Sequence, residues 1–138
     1  MTNDVKFLTK NQNPEDTKSY REKISHERKA LTEKLWHQQG NCCYYCGVKT
    51  RFVKFQKGHR PEFDFATLEH LVPQCQGGTD DITNVVMSCF HCNMLRSALN
   101  VGEFQEFCQQ FLSSHSNQDF EMKRKFFKQY MRQRKNRI

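Results

Sequence analysis

Apolar and polar positions divide the chain into stretches of different period. Residues 1–13 are polar, with Val5, Phe7 and Leu8 isolated among them, and predict no regular element. Asn13-Pro14-Glu15-Asp16 then supplies an N-cap, a proline at the first helical position and acids in the first turn. Tyr20, Ile24, Leu31 and Leu35 follow at near-helical spacing, interrupted at Glu27-Arg28, until Gly40 offers a stop. The pattern predicts one long helix over about 14–38, its stripe packed on whatever follows, with Trp36 in the core and His37 at the surface.

Residues 48–60 place Val48, Phe52, Val53 and Phe55 among Lys49, Arg51, Lys54, Lys57 and Arg60, as a strand pair or an irregular ribbon. Residues 63–71 alternate as a strand ended by Pro73, residues 74–83 form a polar loop hinged at Gly77-Gly78, and Val85-Val86-Met87 reads as a short return strand. A helix should begin near Asn93, carrying Met94, Leu95, Ala98 and Leu99. Asn100 and Glu103 form a capping box ahead of Phe104, Phe107, Cys108, Phe111 and Leu112, an amphipathic helix whose aromatic stripe reads as core. After a break at 113–117, Phe120, Phe126, Phe127, Tyr130 and Met131 mark a last, weaker helix.

Composition narrows what this string of elements can do. With 138 residues and 36% apolar content, one small core is expected, of a kind that a structural metal supports. Residues 1–10 contain no apolar signal-peptide core, so the seven cysteines are expected in a reducing cytoplasm, where paired Cys-x-x-Cys motifs favour zinc. No run of about 18 apolar residues exists to span a membrane. Of the net charge of +7, residues 1–117 carry +1 and residues 118–138 carry +6. That end is read as a polyanion contact, through Lys123, Arg124, Arg132 and Arg134, against the alternative of a solvated face. The basic ribbon, with Lys49, Arg51 and Lys54, is weighed in the same way.

Cys43-Tyr-Tyr-Cys46, followed by Gly47, has the form of a zinc knuckle, and Cys89-x-x-Cys92 supplies a second pair after 42 intervening residues. Cys42 stays open as a C-x3-C alternative, Cys75 is read as an incidental thiol, Cys108 as a small apolar residue and His59 as a surface-loop residue. A zinc bound by four thiolates has no open position for water, so its role would be structural.

Between the knuckles stand Glu69-His70, the Gly-Gly turn, Asn84, and Asn93 directly after Cys92. Over about residues 41–96 this order resembles the HNH endonuclease family of the ββα-metal superfamily, in the variant whose third signature residue is Asn. The resemblance implies an α+β fold: a small ββα-metal module (41–99) stapled by a four-cysteine zinc site, flanked by an N-terminal tail and helix (1–40) and C-terminal helices (100–138). It also implies hydrolysis of DNA, with RNA the less expected partner, in a prokaryotic or phage-infected cytoplasm. His70 would be the general base, Asn84 would orient its loop, and Glu69 with Asn93 would hold Mg²⁺ or Mn²⁺. Two adjacent residues of a strand share a site only where alternation lapses, and Pro73 puts a strand end nearby. Glu69 stands where Asp is more frequent; Arg96 stands where many members carry Lys, bound to phosphate or exposed. His91 is expected to face solvent or DNA, with zinc ligation in place of Cys92 as its rival role. The competing reading of the whole set is a catalytically silent zinc module that binds DNA or RNA.

Overall fold

The computed structural model describes residues 14–54, 58–97, 99–112 and 119–136, so Val5, Phe7 and Leu8 lie outside the described residues. In chain order the elements are α1 (Pro14–Gln38), β1 (Ala66–His70), a 3-10 turn (Gln74–Gln76), β2 (Val85–Cys89), α2 (Phe90–Arg96), α3 (Val101–Phe111) and α4 (Phe120–Asn136). The fold is α+β, with one two-stranded antiparallel sheet and helices on either side of it in the sequence. None of the described helices is long and apolar enough to cross a membrane.

Helix α1 ends where Gly40 and Asn41 both take left-handed backbone angles, φ 63° and 66°. Among its described side chains the C-terminal part packs inward: Leu35 joins Ala66, Val85 and Met87 in a small core flanked by Leu31, Trp36, Phe52 and Leu68. Just past the helix, the Gln39 amide donates to Met87 O and accepts from Met87 N, both at 2.8 Å. That side chain acts as an extra rung on the outer edge of β2 at Met87, whose carbonyl also accepts from the Tyr44 N–H at 3.1 Å.

The hairpin pairs Ala66 with Cys89 through to His70 with Val85. Its first strand is shorter than the alternating run 63–71, because the chain turns at Glu62–Phe65, where the Phe65 N–H bonds Glu62 O at 3.1 Å. The basic ribbon forms no regular strand among the described residues. It holds two isolated bridges, Cys42 with Lys49 and Arg51 with Phe65. In the loop between the strands, a side chain on Gly78 would place its Cβ 1.7 Å from Val72 O, so only glycine lets the chain double back so closely.

Helix α2 starts at Phe90 rather than near Asn93. Cys89 is its N-cap, with Sγ accepting from the Cys92 N–H at 3.4 Å, so the second knuckle is itself the first turn of the helix. Helix α3 carries the reciprocal Asn100–Glu103 capping box. Phe104, Phe107 and Tyr130 are fully buried in a second, larger core that also takes in Tyr45 and the knuckle cysteines. Helix α4, 17 residues long, is therefore a core element. Truncating an aromatic such as Phe107 to Ala typically costs about 3–5 kcal/mol.

Candidate active site and metal centre

The turn Cys43–Gly47 is closed by Gly47 N–H to Cys43 O at 3.0 Å and Cys43 N–H to Val48 O at 2.9 Å, with Gly47 left-handed at φ 76°. It brings Cys43 and Cys46 against Cys89 and Cys92, all four buried and unbridged, with ligand atoms within 4.8 Å of one another. Cys46 Sγ and Cys89 Sγ are 3.8 Å apart. A zinc tetrahedron with Zn–S bonds of about 2.3 Å has S···S edges of about 3.8 Å, the spacing of Cys46 and Cys89, so the cluster is compatible with zinc. Among themselves the four thiols cannot all ionise. Burial raises Cys43, but hydrogen bonds within the cluster outweigh that and hold it well below the ordinary thiol range, while burial and its neighbours push Cys92 well above. A divalent ion would resolve the conflict by taking all four as thiolates. Cys42 points its thiol at Gly40 O, Cys75 is exposed, and Cys108 lies in the aromatic core, so none of these three joins the set.

Two side chains against this cluster correct the expectations from sequence. Lys123, read as a nucleic-acid contact, is 1% exposed, with Nζ at 3.5, 3.6 and 3.4 Å from Sγ of Cys46, Cys89 and Cys92. Burial would lower its pKa, but the cysteine charges outweigh that and hold it above the ordinary lysine range. His91, expected at solvent or DNA, is 1% exposed between the rings of Phe63 and Phe120, and its Nδ1 has no partner. Burial, then the charges of Lys123 and Arg124, push it down to about 4, so it is a neutral packing residue.

At the far end of β1, Glu69 and His70 open onto one cleft of about 210 Å³, lined also by Pro73, Gln74, Asn93, Arg96, Ser97 and Leu99. His70 is the last residue of the strand, and there the alternation of faces lapses. Glu69 is 8% exposed. Its Oε1 pairs with Arg96 at 2.9 Å, while Oε2 is buried with no partner. Burial raises the Glu69 pKa, and Arg96 and His70 partly offset this. Asn93 Nδ2 donates to Thr67 Oγ1 at 3.1 Å, leaving the amide oxygen for a ligand. An orphaned carboxylate oxygen and an amide oxygen in one cleft are the hard donors a small divalent cation takes, with water completing its shell.

His70 Nε2 lies 2.7 Å from Asp80 Oδ1, and Asp80 Oδ2 accepts from Arg28 Nε at 3.0 Å. The hydrogen bond to His70, then Arg28, holds Asp80 below the ordinary carboxylate range. In the sequence Asp80 stands in a polar loop with nothing to single it out; the close turn at Gly77-Gly78 is the signal that the loop folds back on the strand end. Asn84 spans that loop. Its side chain accepts from Val72 N–H at 2.9 Å and donates to Val72 O and Thr79 O, and its backbone O accepts from Leu71 N–H at 2.8 Å.

Arg96, read as a phosphate contact or an exposed residue, is 4% exposed. Its guanidinium bonds His70 O and Leu71 O at 2.8 Å, Leu99 O at 3.2 Å and Tyr45 Oη at 3.1 Å, besides Glu69. Other basic residues are also committed within the chain. Arg51 pairs with Asp64 at 2.7 Å and with Glu62, and Arg134 with Glu103. Lys49, Lys54, Arg124 and Arg132 are exposed. Residues 43–98 match the family model described as HNH endonuclease. Comparison with curated proteins and with solved structures gives no match.

Proposed function

Starting from the HNH endonuclease domain at residues 43–98, we propose that the chain hydrolyses DNA phosphodiester bonds, with His70 as general base. The observation that carries the reading is the 2.7 Å bond from His70 Nε2 to Asp80 beside a cleft holding Glu69 and Asn93. An ionised Asp80 accepts the Nε2 proton and fixes the tautomer whose Nδ1 lone pair can take a proton from water. The water oxygen then bonds to phosphorus, its proton passes to His70, and the leaving oxygen departs with the electrons of the broken P–O bond. Asp80, held by Arg28, is a positioning residue, and Asn84 keeps the loop that carries Asp80 folded against the strand. A divalent ion such as Mg²⁺ or Mn²⁺, held by Glu69 and Asn93, would supply charge stabilisation of the phosphate as negative charge accumulates. Zinc at the four cysteines would be structural. Lys49, Lys54, Arg124 and Arg132 are among the exposed cations available to the DNA backbone.

Supercoiled plasmid incubated with the chain and Mg²⁺ or Mn²⁺ tests the reading. His70→Ala should lower cleavage on the order of 10²- to 10⁴-fold with zinc content and folding intact. Glu69→Ala and Asn93→Ala should recover in part at higher metal, which a missing base cannot. Cleavage by His70→Ala within a few-fold of the wild type overturns the assignment. Tight DNA binding without cutting under any divalent ion favours the silent nucleic-acid-binding module.

A further inference from the structure

We propose that Lys123 is an outer-sphere member of the metal centre, its ammonium hydrogen-bonded to three of the four thiolates, and that the charge of the loaded site thereby fastens helix α4 over the knuckles. This rests on zinc at the cysteine cluster and is independent of the cleavage chemistry.

A lysine at 1% exposure needs a counter-charge, and among the described residues no carboxylate pairs with this one. Its neighbours are sulfur atoms at 3.4–3.6 Å and the ring of Phe120 at 4.8 Å. Neutral thiols are weak acceptors and cannot balance a buried cation. Four thiolates around Zn²⁺ carry a net charge of −2, and one ammonium brings the assembly to −1. The geometry spreads the three donors of the ammonium over Cys46, Cys89 and Cys92, so both knuckles are joined to α4. His91 cannot share the task as a donor network: its Nδ1 has no partner, and its ring stacks with Phe63 and Phe120. Phe120 and Lys123 are one helical turn apart, so the first turn of α4 closes the site with a ring on His91 and a charge on the sulfurs.

Outer-shell partners of metal ligands typically contribute about 10–100-fold to metal affinity. The zinc-loaded full chain is titrated with a chromophoric chelator, comparing the wild type with Lys123→Met and Lys123→Arg and, as a control on the same helix, the exposed Lys125→Met. Lys123→Met, similar in length but uncharged, should bind zinc about 10–100-fold more weakly; Lys123→Arg should recover part of the loss, and Lys125→Met should match the wild type. Limited proteolysis of the wild type should find α4 protected with zinc and cleaved once zinc is chelated. Should Lys123→Met fail to fold, Lys123→Gln, which keeps a donor without the charge, takes its place under the same tenfold criterion. Zinc affinity within about twofold of wild type in a folded uncharged variant, or an α4 still protected after chelation, overturns the proposal. A wild-type chain that takes up no zinc overturns it together with the metal centre, whereas failure of plasmid cleavage leaves it standing.

Discussion

The cysteine cluster and the His70 cleft are built on the same hairpin, one at each end of the paired strands, and by opposite means. Cys43, Cys46, Cys89 and Cys92 are 0–8% exposed and closed over by Lys123 and the aromatic core. At the other end, the side chains of His70 and Asp80 are 15% and 38% exposed; they are hydrogen-bonded to each other and Asp80 to Arg28, while Asn84 holds the loop that carries Asp80. Burial with charge neutralisation gives stability that solvent does not reach, and hydrogen bonds at an open rim give orientation while leaving room for a substrate. Arg96 stands between the two, bonded to Tyr45 of the knuckle on one side and to Glu69, His70 and Leu71 on the other.

Removing the metal should do the most. Structural zinc contributes about 10–16 kcal/mol in small zinc-dependent modules, more than most domains have in total stability. Cys→Ser at any of the four positions, or full chelation, should abolish cooperative thermal unfolding followed by circular dichroism; an unchanged melt would erase the contrast between a stabilising end and an orienting one.

Arg96→Met comes next. It leaves Glu69 buried without its cation, a loss of about 3–5 kcal/mol of stability, read from the denaturant midpoint. Zinc content should be retained, and adding Glu69→Gln should recover part of the stability. Loss of zinc with Arg96→Met would show that the two ends are one unit rather than two joined by a bridge.

The smallest effect belongs to Asp80. Because its folded pKa is depressed, its ion pairs stabilise the fold above about pH 4, the ordinary carboxylate value, and that stability is lost as pH falls through the lowered value. Asp80→Asn should flatten the acid limb of the stability curve by less than about 1 kcal/mol, since the pair is partly exposed, while lowering cleavage much more. A large shift in melting temperature at neutral pH would instead make Asp80 part of the frame.

Features whose cause lies within a few residues were legible in the sequence: the frames of α1 and α3, the Asn100–Glu103 box, the hairpin and both knuckles. The start of α2 falls three residues before the expected one because a Cys-x-x-Cys turn and a helix N-terminus share a backbone, and the metal motif masks the cap. Charge is less legible. Lys123, Arg96, Arg134 and Arg51 look alike as positive side chains, and what sets them apart is a partner brought near by folding. The sulfurs facing Lys123 are 31 to 77 residues away, and Arg96 reaches 51 residues back to Tyr45. Asp80 escapes notice for the same reason: it meets Arg28 across 52 residues.

The order of the chain bears on how the ion arrives. Lys123 lies 31 residues beyond Cys92, so a growing polypeptide completes its fourth thiol before the helix that covers the cluster exists. At about 5–20 residues per second that interval lasts about 2–6 s. During it the cluster is open on the side where α4 will lie, and an ion can enter without displacing a packed helix. An ion held by the four cysteines of the finished protein would leave only after Phe120 and Lys123 lift away. Loading during synthesis and release through local unfolding of α4 would then proceed by different routes, and their rates need not be comparable.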